Sequence, residues 1–397
     1  MSSARLGPPI PRTVWALGLV SLFMDLSSES IHALLPLFLT TTLGASVALV
    51  GLIDGVAEAT ASIAKVFSGY LSDRFRKRKL LILIGYGLGA ITKPLFALAA
   101  TPAIVFGARF ADRIGKGLRG APRDALVADI TPPEIRGRAF GLRQSLDTVG
   151  AFAGPLLAIG LMAVFANDIR MVFWFAVIPA VLAVACVLFG VEDAPAANTP
   201  TAAPPVRLVD LKRLPSAFWS VTLVGVVFTL ARFSEAFLIL KASVAGLPLM
   251  LAPLVLVVMN VVYALGAYPA GIWSDHVPAR RLFGWGLLAL IAADLSLGLL
   301  PGLGGAFLGI GLWGVHMALS QGLLAKLVAD YAPAELRGSA FGVFNLMTGA
   351  AMLFASVIAG LVWDRLGADA TFLVGAGFAF SAFAIVLNLR NPSIHPA

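Results

Sequence analysis

The chain has 397 residues, a net charge of +8, 59% hydrophobic residues and only 13% charged ones, with a mean hydropathy of +0.91. A soluble domain carries about 25% charged residues, so the composition excludes a soluble fold and predicts an all-α protein embedded in lipid. The single cysteine, Cys186, excludes disulfides within the chain and cysteine-cluster metal sites, and no metal or cofactor is expected.

Roughly 20 mostly apolar residues cross a bilayer. With charges, Pro and Gly as punctuation, twelve such spans are predicted, near 14–40, 47–72, 80–101, 103–127, 138–163, 171–192, 217–240, 248–272, 281–300, 303–328, 339–363 and 369–390. Arg5 and Arg12 precede the first as in a secretory signal. Asp25 and Glu29 interrupt it, however, and no small-x-small cleavage site follows, so it is expected to be retained. The stretch 193–215, rich in Ala, Pro and Thr, reads as a linker between a bundle of six spans at 1–192 and another at 216–397.

The charges are informative in chain order. On span 1, Asp25, Glu29 and His32 stand at i, i+4 and i+7 and share one face. On span 2, Asp54, Glu58 and Lys65 stand at i, i+4 and i+11 and again share one face. Span 4 carries Arg109, Asp112, Arg113 and Lys116, and span 5 pairs Arg143 with Asp147 at i, i+4. The second half is sparser, with Arg232 and Glu235 on span 7 and His316 and Lys326 on span 10. The basic residues between spans gather in alternate loops: Arg74 to Lys79, Arg136 and Arg138, Arg207 to Arg213, Arg280 and Arg281, and Arg337. The loops at 40–46, 98–103 and 300–303 carry no charge. This asymmetry predicts cytoplasmic termini and accounts for the basic excess without nucleic acid.

One segment returns downstream. DITPPEIRGRAFG at 129–141 reappears as DYAPAELRGSAFG at 330–342, an offset of 201; Gly69-Tyr70-Leu71-Ser72-Asp73 reappears as Gly271-Ile272-Trp273-Ser274-Asp275, an offset of 202. Two segments with nearly one shift indicate two copies of one unit. Duplicated membrane bundles commonly carry a substrate path between halves.

Two sets of six spans, a central linker and the repeated Gly-x-x-Ser-Asp loop resemble the major facilitator superfamily over nearly the whole chain. The loop from Gly69 to Lys79 is similar to that superfamily's signature, with Phe75-Arg76 where x-Gly is usual. Arg109, Arg113, Gly115 and Gly117 resemble its Arg-x-x-x-Gly-x-Gly pattern, with Arg113 at the first glycine position. Gly150-x-x-x-Gly154-Pro155 resembles a motif of proton antiporters, with Ala158-Ile159 in place of the final Gly-Gly. The resemblance implies a twelve-helix secondary transporter working by alternating access, monomeric. An all-helical chain with short loops and no organelle signal is expected in a bacterial inner membrane.

Physical reasoning adds roles. Asp73, with Gly69 and Arg74, is expected to latch onto the start of span 11 behind Arg337, and Asp275 onto span 5 behind Arg136, because a helix N-terminus favours a carboxylate. Gly150, Gly154 and Pro155 are expected to bring a neighbour close and bend span 5. Asp25, Glu29 and Glu58, with His32, are the candidate proton carriers, since desolvation disfavours a charged carboxylate. Substrate contact is expected from Asp54, Arg109, Arg113, Asp147, Arg232, Glu235, Asn260, Trp313 and His316. Trp174, Trp285 and Trp363 read as interface anchors. Efflux by proton antiport is slightly favoured by the span 5 motif, and import of an anionic solute by proton symport is favoured by Arg109, Arg113 and Lys116. An enzyme is disfavoured, since Gly-x-Ser-x-Gly, Gly-x-x-x-x-Gly-Lys and His-Glu-x-x-His are all missing.

Overall fold

A computed structural model describes residues 8–75, 77–193, 211, 213–320, 323–333 and 336–388. Most of the expected linker at 193–215 lies outside these residues. The protein is an all-α integral membrane protein with twelve transmembrane helices. In chain order they are α1 (Arg12–Thr42), α2 (Val47–Phe75), α3 (Arg78–Leu98), α4 (Pro102–Ile130), α5 (Arg136–Val164), α6 (Ile169–Gly190), α7 (Ser216–Val244), α8 (Leu254–His276), α9 (Ala279–Leu299), α10 (Gly302–Ser320, continued by Leu323–Tyr331), α11 (Arg337–Leu366) and α12 (Ala368–Asn388). Eleven are long and apolar enough to cross a membrane by composition. The twelfth is α4, whose ionisable residues lower its hydropathy. Its 29 residues, at about 1.5 Å each, exceed the thickness of a hydrocarbon core.

Among the described residues, α1 and α7 depart from regular helix, and the α7 break borders the site. α1 is regular to His32, then turns and ends in a π-helical segment, Phe38–Thr42. α7 is regular to Ala231 and resumes at Ala236. Arg232 leaves helical geometry there, with φ −107° and ψ 68°. The resumed piece starts under a cap: Ser234 Oγ accepts the Ala236 N–H at 3.1 Å, the usual role of a serine ahead of a helix.

The helices gather into two compact units, Met1–Leu34 with Ile63–Ala203, and Leu35–Ser62 with Pro204–Ala397. In the first, α1 packs closely on α5 and α6, and α3 on α4. Gly150 allows the α1–α5 approach, since a Cβ there would lie 2.3 Å from the Leu22 carbonyl oxygen. Ser30 Oγ donates to the Gly154 oxygen at 2.9 Å across the same seam. In the second unit α9 packs on α10 and α12.

Residues 35–62 pack with the second unit. The reason is local. A Cβ on Gly51 would lie 2.2 Å from the Ser356 oxygen, so α2 presses directly on the α11 backbone. The Asp364 carboxylate at the end of α11 then accepts the Val47 and Ala48 N–H groups at 3.1 and 3.0 Å. Those N–H groups begin α2 and have no partner within their own helix.

Candidate functional site

The first unit holds a network of buried and half-buried ionisable groups. On α1, His32 Nδ1 lies 3.5 Å from Glu29 Oε2, as their shared face predicts. Asp25 stands one turn earlier on the same helix. α1 therefore presents two acids and an imidazole on one face.

Behind this face, α3 and α4 are joined by a buried ion pair. Lys93 Nζ lies 2.9 Å from Asp112 Oδ1 and donates to Ser28 Oγ at 3.0 Å. Lys93 is only 1% exposed. Arg113 Nε stands 3.9 Å from the other Asp112 oxygen. Arg109 and Arg119 are also buried on α4, and Arg119 stacks over the Tyr86 ring at 4.4 Å. The closeness of α3 and α4 has a visible cause, since a Cβ on Gly115 would meet the Gly85 oxygen at 2.6 Å.

A second knot joins α4 to α5. Arg143 Nη1 lies 3.6 Å from Asp147 Oδ1, the i, i+4 pair expected from sequence. Arg123 reaches the same oxygen at 3.8 Å and donates to Ser21 Oγ at 3.1 Å and Tyr86 Oη at 3.3 Å. Gln144 Nε2 donates to Asp147 Oδ2 at 3.2 Å.

The second unit is built differently, around aromatic rings. Phe233, at the α7 break, packs against Phe237, Phe372 and Trp313 with centroids 5.2, 5.5 and 5.8 Å apart. His316 lies beside Phe228 at 5.4 Å and Trp313 at 6.2 Å. Its Nδ1 is 3.1 Å from the Gly286 oxygen, which fits an Nδ1–H donor and leaves Nε2 facing the rings. Trp313 Nε1 and His316 Nε2 have no hydrogen-bond partner among the described residues. Trp363 packs on Phe237 at 5.9 Å and Phe372 at 6.4 Å within the aromatic group. Trp174 and Trp285 are exposed on the surface.

The expected site residues thus fall into separate neighbourhoods. Asp25, Glu29, His32, Arg109, Arg113 and Asp147 belong to the first unit. Glu58, a candidate carrier with the α1 acids, and Asp54, a candidate substrate contact, belong to the second, where Ser234 Oγ donates to Asp54 Oδ2 at 2.9 Å. Arg232, Glu235, Asn260, Trp313 and His316 are also in the second unit. Arg136 and Arg337 are exposed at the starts of α5 and α11. The side chains of Asp73, Arg74 and Asp275 lie outside the described residues, so the latches expected of them are neither seen nor contradicted. Lys93, Arg119, Arg123, Asp294 and Asp364 were missed by the sequence reading.

The sequence matches the family described as Major Facilitator Superfamily over residues 17–262 and 246–396. The chain belongs to the major facilitator superfamily. It is 30% identical over 386 residues to an uncharacterised MFS-type transporter of Methanocaldococcus jannaschii, covering 95% of each chain. It is 27% identical over 317 residues to the multidrug resistance protein MdtH of Salmonella typhi, covering 77% of this chain and 75% of that one. In fold it is similar to the nucleoside transporter NupG, with a TM-score of 0.79 at 15% identity, covering 95% of this chain and 99% of that one. A POT family transporter in complex with 5-aminolevulinic acid gives a TM-score of 0.78 at 15% identity, over 95% and 96% of the two chains. As a superfamily member the protein is a membrane transporter, with a small-molecule substrate and a lipid bilayer as its surroundings.

Proposed function

We propose that the protein is a proton-coupled secondary transporter that exports a small solute in exchange for protons. The observation that carries this reading is the ionisable face of α1, where Asp25, Glu29 and His32 stand on one side of a helix packed against α5 and α6, with His32 Nδ1 3.5 Å from Glu29 Oε2. A buried acid costs least when neutral or paired. Proton uptake on this face would therefore change which partners hold α1, and so tie protonation to conformation. Glu58, packed with the second unit, is the further acid in this scheme. The substrate contacts are drawn from Asp54, Arg109, Arg113, Asp147, Arg232, Glu235, Asn260, Trp313 and His316. Gating falls to Gly69, Asp73, Arg74, Asp275, Arg136 and Arg337 at the cytoplasmic helix ends and to the Gly150, Gly154 and Pro155 seam.

The export direction is supported by the similarity to a multidrug resistance protein and by the Gly150-x-x-x-Gly154-Pro155 motif. The loop charges support cytoplasmic termini in a multi-pass membrane protein, placed here in a bacterial inner membrane. The working unit is a monomer. A second reading, import of an anionic solute with protons, is favoured by the cations Arg109, Arg113, Lys116, Arg119 and Arg123 along α4.

The test is to neutralise the acids one at a time, as Asp25→Asn, Glu29→Gln and Glu58→Gln, in reconstituted vesicles. At least one variant should retain solute exchange at equilibrium and lose gradient-driven accumulation. Unchanged accumulation in all three would remove the acids from the coupling scheme.

A further inference from the structure

Asp294 lies five residues before the end of α9 and has 0% of its surface exposed. Neither carboxylate oxygen has a hydrogen-bond partner among the described residues. Its surroundings are apolar. A Cβ on Gly375 of α12 would stand 2.9 Å from Asp294 Oδ2 and 2.9 Å from Phe233 Cε1, so the carboxyl, the glycine and the ring fill one small space. Phe233 is the aromatic residue at the α7 break, next to Arg232 with its non-helical ψ.

The charged and titratable groups on the helices around it leave it without a partner among the described residues. His316 on α10 directs Nδ1 to Gly286. Asp369 on α12 pairs with Lys241 of α7. His276 on α8, Lys326 on the continuation of α10, Arg280 and Arg281 on α9 itself, and Arg232 and Glu235 at the break form no ion pair with Asp294 among the described residues. A carboxylate ion in such a place would have neither water nor a counter-charge, which is among the costliest arrangements in a membrane protein. The neutral acid avoids most of that cost.

The internal repeat sharpens the point. Shifted by 201, Lys93 on α3 falls on Asp294 (93 + 201), and Asp112 on α4 falls on Trp313 (112 + 201). In the first unit this position is a closed ion pair at 2.9 Å. In the second it is an acid whose positional partner cannot ionise.

We propose that Asp294 is a proton-binding site of the second unit. It carries a proton in this conformation and releases it when rearrangement at the α7 break draws Phe233 away. On release the carboxyl O–H bond breaks, its electron pair stays on the carboxylate, and the proton passes to water entering past the displaced ring. The site goes beyond the α1 acids and does not depend on their being carriers.

The test reads protonation rather than transport, so it stands or falls separately from the coupling scheme. In pH-difference infrared spectra of the full chain in lipid, the wild type should show the carbonyl band of a buried protonated acid, lost as pH rises. The band should be absent in Asp294→Asn, shifted in Asp294→Glu, and retained in Asp25→Asn. Spectra of Asp294→Asn that superimpose on the wild type would overturn the proposal. Should the amide variant not fold, Asp294→Glu decides, because an unmoved band has the same meaning.

Discussion

Lys93 and Asp112 in the first unit, and Asp294 and Trp313 in the second, occupy the same places in two copies of one helix pair. The first copy closes a buried salt bridge between α3 and α4. The second leaves a buried acid beside rings, with Trp313 Nε1 also unpartnered among the described residues. The difference teaches how a duplicated scaffold divides labour. A closed pair in low dielectric is a fixed strut, because removing either charge strands the other. A lone acid is a switchable element, because its charge alone sets its cost.

The largest expected break is Asp112→Asn. It strands the Lys93 ammonium and should cost about 3–5 kcal/mol, read as a large drop in the thermal midpoint of the protein in lipid. Replacing both partners, as Lys93→Met with Asp112→Leu, should recover most of it. The next tests concern the seams. Gly150→Ala forces a Cβ to 2.3 Å from a backbone oxygen, and Gly375→Ala forces one to 2.9 Å from Asp294 and Phe233. Each should destabilise by about 1–3 kcal/mol, Gly150 more, since a backbone oxygen yields less than a side chain. Gly377→Ala on α12 has open space around it and should be silent in the same melting assay. Smaller again, Asp364→Ala removes the acceptor for two N–H groups at the start of α2. It should cost on the order of 1 kcal/mol, seen as faster amide exchange at Val47 and Ala48. The smallest effect belongs to Asp294→Leu. It replaces a buried unpartnered polar group by an apolar one of similar size and should leave the midpoint unchanged or slightly raised. A loss as large as that of Asp112→Asn would mean that Asp294 is a strut after all, and the comparison would fail.

Much of this fold was written in local patterns. Twelve apolar runs gave twelve helices, and the 201-residue echo gave the duplication. Pairs on one helix were also legible, because Arg143–Asp147 and Glu29–His32 follow from helical spacing. Lys93 and Asp294 were not found, although each stands as a lone ionisable residue inside an apolar run. The signal was there in principle: a charge in lipid is rare, and the repeat offset places the two at one position. Their partners lie on other helices, beyond any local rule. The packing of Asp54 and Glu58 with residues of the second unit is illegible for a similar reason. Their helix is one continuous run in sequence, and only the approach of Gly51 to the α11 backbone shows with which unit its first half packs.

The most direct test of the account is proton movement itself. Purified protein in vesicles holding a pH-sensitive dye would be given an imposed proton gradient and challenged with a panel of small solutes from either side. The account predicts that at least one solute dissipates the gradient, with the direction expected of antiport. Demonstrable solute flux with no proton movement would contradict it, and would leave Asp25, Glu29 and Glu58 as structural partners in a carrier driven by something else.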